Sequence, residues 1–425
     1  MGDCRKHVKP VLHPEASLPL MRIQQAMSRF KCIESDCEDS CCHSWPVLID
    51  DGGAARLKSA CQKGGLDDLS FEEIVEMAPQ KAGCNVMKKK DDSRRCMLWD
   101  GDGLCRIQKN LGADYQPDGC RTYPRVMQRV FGVHELHGKI SCPEMARKTL
   151  LVDDGADWVE TETAIPRFFL LSRVDQSSDF PYGNAINGIR QLLLKLLAPE
   201  PRSGFRRMNH FCMESRRFFD REIDRFPTRD IRSLYQQCLK SPTVADVDMP
   251  YMVILLRRLF AFFEAGKTHP TTRIYFQKHA ERSGLNLDSE QSVFERFLSG
   301  MMAMEDRLMV THREQQKRWL TNFARHYVMS RSYVEDRDLS VYVNRLWMRL
   351  YFCRIMLALH PDMQRYASGG DLSSDAFDAA VIQAVSKSSR ILEHSDEFTQ
   401  WWSPSAQMQH VQVCYSLSVV GQSPS

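Results

Sequence analysis

Eight cysteines between Cys32 and Cys142 are the residues of this sequence best suited to chemistry. They stand in short, spaced groups: Cys32-x4-Cys37-x3-Cys41-Cys42, then Cys96-x8-Cys105, then Cys120 and finally Cys142. Thiolates a few positions apart reach one metal ion or one cluster face, because the loop between them can curl round it. Adjacent Cys41 and Cys42 are expected to point in different directions, so that one of them serves a given centre or the pair bridges two. Zinc takes four tetrahedral ligands, often as two CxxC knuckles, and this chain contains no CxxC. Iron–sulfur clusters accept looser spacing, with four thiolates per cluster or three where one iron stays open. The spacing therefore favours an iron–sulfur cluster, of the 4Fe-4S type, over zinc. Eight thiols suffice for one centre or two.

The competing reading is a set of buried, reduced cysteines without metal. Four thiols inside eleven positions, Cys32 to Cys42, are too dense for that to be the simpler account. Cys61 and Cys84 are read as non-ligands, and Cys4, Cys212, Cys238, Cys353 and Cys414 as packing or surface cysteines. His43, His134 and His137 are possible replacements for a cysteine ligand. Asp50, Asp100 and Asp102 read as turn caps rather than bases, and Arg121 and Tyr123 as residues that balance charge or contact a bound group. Lys88-Lys89-Lys90, followed by Asp91-Asp92, reads as a solvated loop.

The elements that must hold these residues divide the chain in two. Of its fifteen cysteines, eleven lie in the first 142 residues, and that asymmetry sets the first boundary. Residues 1–27 read as a flexible leader, with Met21 a candidate start. Residues 28–150 read as a small, irregular cysteine-rich metal-binding module, rich in Gly, Asp and Pro, with strand-like runs such as VMQRVFGV. Too little apolar material is present there to hold it together, so metal ligation is expected to supply much of its stability. Residues 151–420 read as a larger α-helical domain, and the fold class is mostly α.

Helical periodicity carries that second assignment. Ile186, Ile189, Leu193, Leu196 and Leu197 share one face, and Pro199 ends the run. Met252, Leu255, Leu256, Leu259 and Phe263 repeat the pattern, with Asp248 as N-cap. Val343, Leu346, Trp347, Leu350, Cys353 and Leu357 make a third face, stopped at His360-Pro361. Further helices are expected over 205–225, 270–283, 288–306, 312–331 and 374–393.

Composition narrows the class further. A length of 425 residues allows two or three domains, and a formal charge of +3 makes no case for nucleic acid. The first twenty residues lack the apolar core of a signal peptide. The most apolar stretch, Tyr251 to Phe263, is broken by Arg257 and Arg258 and is too short to cross a bilayer. A cytoplasmic protein without a membrane partner is the expectation, and in a reducing compartment dense cysteines favour metal ligation over disulfides.

The segments FKCIESDCEDSCCHSWPVLID, CMLWDGDGLCRIQKNLG, PDGCRTYPR and ISCPEMAR, in that order, resemble a cysteine-cluster family of zinc or iron chelators. More narrowly they resemble its long-chain members, the flagellin lysine N-methylases of the FliB type. The likeness covers residues 28–150 well and continues into RWLTNFARHYV in the helical half. It implies a lysine N-methyltransferase acting on flagellin, with S-adenosylmethionine as donor and Cys32, Cys37, Cys41, Cys42, Cys96, Cys105, Cys120 and Cys142 as metal ligands. No Gly-rich loop of the Rossmann type provides a donor site, and Gly266-Lys267-Thr268 lacks the first glycine of a phosphate loop, with Ala261 in its place. Radical enzymes that use the same donor carry CxxxCxxC, and here Ser44 stands at the third position after Cys37 and Cys41. The cluster is thus left to anchor the donor or to build the fold, and no catalytic residue is assigned. A non-catalytic iron- or zinc-binding protein is the alternative.

Overall fold

The computed structural model describes residues 20–43, 47–49, 51–64, 66, 69–77, 85–90, 95–100, 104–130, 132–162, 170–174, 186–198, 200–219, 228–240, 247–265, 270–331 and 339–393. Cys4, Ser44, Trp45, Asp50, Cys84, Asp91, Asp92, Gly101 to Gly103, Gly266 to Thr268 and Cys414 lie outside them. By internal contacts the chain forms two compact units. One is Met1–Met145 with Trp158–Arg173; the other is Ala146–Asp157 with Val174–Ser425.

The first unit is built on sheets and is less irregular than its composition suggests. Strands β1 (Leu20–Gln24), β7 (Arg125–Val130), β8 (Val133–Gly138), β9 (Trp158–Glu162) and β10 (Leu170–Val174) form one five-stranded sheet in the order β10-β7-β8-β1-β9. The hairpin β7–β8 turns at Gly132, whose φ of 82° favours glycine. Strand β1 runs parallel to β8, with Met21 opposite His134, and antiparallel to β9, with Met21 opposite Thr161. Met21 is fully buried. Residues 20–27, expected to belong to a flexible leader, are therefore strand β1 and most of the short helix α1 (Gln25–Ser28). A strand between two partners reads as leader in sequence, because its neighbours in space lie more than a hundred residues away.

Shorter elements carry the cysteines. Strands β2 (Leu48–Ile49), β3 (Val75–Met77) and β4 (Asn85–Met87) form a three-stranded sheet, and β5 (Lys89–Lys90) pairs with β6 (Arg95–Cys96). Around them lie α2 (Asp51–Gln62), α3 (Phe71–Ile74), α4 (Arg106–Leu111) and α5 (Asp118–Thr122). A capping box starts α3: the Glu73 amide donates to Ser70, and the Ser70 amide to the Glu73 carboxylate at 2.7 Å. The helix α6 (Pro143–Leu150) then follows Cys142.

The second unit is helical, as its periodicity predicts. Among the described residues it holds α7 (Ile186–Leu197), α8 (Pro201–Phe219), α9 (Thr228–Lys240), α10 (Met249–Glu264), α11 (Pro270–Arg282), α12 (Gln291–Thr311), α13 (Arg313–Ser330), α14 (Leu339–Ala358), α15 (Pro361–Ala367) and α16 (Ser374–Leu392). Asp248 caps α10 by accepting from the Tyr251 amide at 3.1 Å. Arg257, on that helix, donates to the carbonyls of Leu287 and Ser289, so the charge that interrupts the apolar run is satisfied. No helix among the described residues is long and apolar enough to cross a membrane. Helices α9 and α15 escaped the periodicity reading because their apolar positions are few: Ile231, Leu234 and Cys238 on one, Met363 and Tyr366 on the other.

Helix α14 is the centre of this unit. Its expected face is buried, but so are Tyr351, Phe352, Arg354 and Ile355 from its other sides. It packs against α8, α12, α13, α15 and α16, so it presents apolar surface all round.

Candidate metal centre

Two apolar cores in the first unit divide the expected ligands. The first contains Ile49, Leu57, Ile74, Met87, Leu98, Ile107 and Cys96, with Cys42, Cys61 and Cys105 packed on it. The second contains Met21, Ala26, Met27, Phe30, Met127, Leu136, Met145 and Cys142, with Tyr123 packed on it.

Local hydrogen bonds fix the first group. The Cys96 amide donates to the Cys42 carbonyl at 2.9 Å, which holds these two residues side by side. The Trp99 amide donates to the Cys96 carbonyl at 3.0 Å, and Trp99 forms an antiparallel bridge with Cys105. Asp100 accepts from the Leu104 amide at 3.0 Å and pairs with Lys109 at 3.2 Å. It is a turn-forming residue, as its sequence context suggests. Cys120 rides on α5, which packs on β2 and is tied to α2 by the Arg56–Asp118 ion pair at 2.6 Å. Burial raises the Cys120 thiol well above its ordinary range, and Cys96, Cys105 and Cys42 raise it further. Cys96 is pushed up to about 11, again by burial first, with Cys42 and Cys105 adding to it.

Cys142 lies in the second core, apart from these. Burial drives Cys142 up to about 12, and Cys37 and Cys32 act in the same direction. Arg125 lies within electrostatic reach of Cys32 and Cys142, with its guanidinium 5.2 Å from the Phe30 ring centre. The loop from Phe30 to Cys42 thus runs from one core to the other. Glu34 takes a positive φ of 52° at its turn. The Cys42 thiol is raised first by Cys41 and then by burial, and its amide donates to the Ser40 hydroxyl at 3.2 Å. Cys41 is exposed and Cys42 half-buried.

Lys89 is the residue that sequence reading missed. Its run reads in sequence as a solvated loop, yet Lys88 donates to the Glu72 carbonyl at 2.7 Å and Lys90 to the Trp99 carbonyl at 3.0 Å. Lys89 stands opposite Cys96 in the β5–β6 ladder, and its Nζ is buried with no hydrogen-bond partner. It lies within electrostatic reach of Cys42, Cys96 and Cys120 and favours their thiolate forms. The indole Nε1 of Trp99 is likewise buried without a partner. An unpaired ammonium beside protonated thiols is unfavourable, and negative charge at the sulfurs would satisfy it. No sequence signal marks it; only its pairing with Cys96 does.

The other candidates fall elsewhere. His43 stacks edge-on against Trp99, 5.7 Å between ring centres, beside the first thiol group. His134 and His137 are on β8, opposite Arg129 and Val126. Burial lowers His134, and Arg129 lowers it further. Arg121 pairs with Asp114 at 3.3 Å, and the Tyr123 hydroxyl lies 3.1 Å from that of Ser141. Cys61 has Glu72 and Glu73 as its charged neighbours.

The thiols around Cys96 are donors of the type a thiolate-bound group takes, and the orphaned Lys89 ammonium beside them fits its charge. A single-ion site is not preformed, because no three His, Cys, Asp or Glu side chains among the described residues stand close enough to hold one ion. A zinc tetrahedron needs its thiolates within about 3.8 Å of one another, given Zn–S bonds of about 2.3 Å. A four-iron cluster spans more and takes thiolates further apart.

Known proteins provide a separate indication. The chain is similar to two proteins named lysine-N-methylase, from Salmonella typhimurium and Salmonella choleraesuis, at 25% and 24% identity over 143 residues. Each match covers 34% of this chain and 35% of the relative, so the similarity spans about a third of either. It is also 24% identical over 152 residues to a Salmonella muenchen protein named flagellar biosynthetic protein FliU, covering 36% of this chain and 89% of that protein. No family model and no solved structure matches the chain.

Proposed function

We propose that this chain is a protein-lysine N-methyltransferase that acts on flagellin, takes its methyl group from S-adenosylmethionine, and holds iron–sulfur through its N-terminal thiols. The observation that carries the methyltransferase reading is the similarity to lysine-N-methylases. Flagellin as substrate rests on the order of the cysteine motifs and on the flagellar name of the third relative. Iron–sulfur rests on the thiol spacing without CxxC and on the buried ammonium of Lys89 among the sulfurs.

The chemistry sets three requirements. A lysine amine must lose its proton from a pKa near 10.4, its nitrogen must line up behind the methyl carbon, and water must be kept from the sulfonium. An iron–sulfur group held by these thiols would supply a Lewis-acidic iron, to which the amino and carboxylate groups of the donor could bind. The chain's own residues then have defined tasks. Lys89 balances the charge of Cys42, Cys96 and Cys120, and Arg125 that of Cys32 and Cys142. Met21, Met27, Phe30 and Leu136 keep water from the Cys142 sulfur.

The test uses purified protein, flagellin and donor labelled in the methyl group, followed by mass spectrometry of flagellin lysines. Label on lysine that disappears when the metal is removed supports the proposal. Full transfer by metal-free protein overturns the metal-linked donor site. Iron bound with no transfer to any lysine leaves the non-catalytic iron-binding reading in its place.

A further inference from the structure

In the helical unit, away from the thiols, two buried polar groups stand side by side without partners. Tyr275 and His279 lie one turn apart on α11, with 4.4 Å between their ring centres. Their residual exposures are 9% and 8%, and neither the Tyr275 hydroxyl nor the His279 Nδ1 has a hydrogen-bond partner. A buried polar atom left unsatisfied costs stability, so two together ask for an occupant.

Lys387 on α16 joins them, its Nζ 5.5 Å from the centre of the Tyr275 ring. Thr272, one turn before Tyr275, is fully buried and donates to the Lys387 carbonyl at 3.3 Å, which pins α11 to α16 at this level. At the far end of α11 the Ser283 hydroxyl donates to the His279 carbonyl at 2.9 Å and accepts from Gln364 on α15. The backbone that carries the two rings is therefore held by both neighbouring helices.

The charges that act on this pair have one sign. Burial lowers the His279 ring to about 4, and Arg282, His360, Lys278 and Lys387 lower it further. Asp362, 3.8 Å from His360, is engaged by Arg365 at 2.8 Å. His279 is thus neutral at physiological pH, and with its proton on Nδ1 it is a donor. Burial keeps the Tyr275 phenol protonated, so it donates as well. Two neutral donors in a positive field match an acceptor that carries negative charge. A water molecule would accept both hydrogen bonds but bring no charge to that field.

We propose that Tyr275, His279 and Lys387 form a binding site for a small carboxylate. One carboxylate oxygen accepts from the Tyr275 hydroxyl and the other from the His279 Nδ1, while Lys387 supplies the opposite charge. A carboxylate suits the site better than a phosphate dianion because, among the described residues, a single ammonium is set over the Tyr275 ring. The site is independent of the methyltransferase reading and of any metal.

The experiment follows the magnetic-resonance line width of isotope-labelled acetate as it is titrated into the full chain at neutral pH and constant ionic strength. Saturable binding is expected, weakened about tenfold or more in Tyr275→Phe and in Lys387→Met. Lys278→Met, which removes an exposed cation, should change it by less than about twofold. Circular dichroism checks the fold of each variant, and should Lys387→Met unfold, Tyr275→Phe decides alone. In buffer free of carboxylates, Tyr275→Phe should melt no lower than the unaltered chain, because an unpaired hydroxyl contributes nothing to stability. A lower melting temperature there means that the hydroxyl is satisfied without a ligand, and it overturns the site. No saturable binding of acetate, or equal binding by the unaltered chain and both site variants, overturns it too. Displacement of acetate by an equal concentration of chloride or inorganic phosphate overturns the carboxylate class.

Discussion

Lys89 stands directly opposite Cys96 across the β5–β6 ladder, and its ammonium is buried without a hydrogen-bond partner. A fixed positive charge beside thiolates stabilises the more negative, reduced state of a centre they hold. Lys89→Met removes the charge and keeps an apolar stem. If these thiols hold iron–sulfur as proposed, its midpoint potential is expected to fall by on the order of 100 mV, measured by redox titration of its resonance signal. An unchanged potential would separate Lys89 from the centre.

Arg354 on α14 and Glu305 on α12 form a two-pronged ion pair at 2.6 and 2.8 Å, both side chains buried. Removing one partner strands the other without water. Glu305→Ala is expected to lower unfolding stability by about 3–5 kcal/mol, while the double change Glu305→Leu with Arg354→Met loses much less. Urea unfolding of the three proteins, followed by circular dichroism, gives the comparison.

His326 on α13 is buried, and that burial lowers its pKa to about 3, helped by Arg331. Between about pH 6.5 and pH 3 the unfolded chain takes a proton at this position and the folded chain does not. The stability that depends on neutral His326 is therefore whole above about pH 6.5 and declines as the pH falls towards 3. Between pH 7 and pH 4.5 the decline from this residue alone is about 2 kcal/mol. Thermal melts at those two pH values should show a smaller difference in His326→Gln than in the unaltered chain.

Two glycines in helices make an internal contrast. A Cβ at Gly204 on α8 would run into the backbone carbonyl of Leu197, the last residue of α7, which cannot step aside as a side chain would. Gly300 on α12 meets nothing within 4 Å. Gly204→Ala is expected to destabilise by about 1–3 kcal/mol, whereas Gly300→Ala raises stability by up to about 1 kcal/mol. Melting temperatures of the two variants decide it, and equal shifts of the same sign would remove the close approach as the cause.

Much of the helical unit was legible from sequence because a helix is a local structure. The run Ile186 to Leu197 matches α7 end to end, and Asp248 is the cap its position promised. The cysteine spacing is a property of the chain and picks out the thiols, but which of them lie near one another is not. Strand pairing was not legible: β1 lies in a stretch that reads as leader, and only β8 and β9, more than a hundred residues on, make it a strand.

By itself, then, the sequence determined where the cysteines crowd together and where the helices of the second unit run. Only the tertiary structure decided how the thiols are shared out. It put Cys96 beside Cys42 and left Cys142 in a different core, because burial and hydrogen bonding group residues by distance in space. It also turned Lys89 from one of three apparently solvated lysines into a buried cation facing Cys96, since the face a strand residue takes depends on the partner strand that covers it.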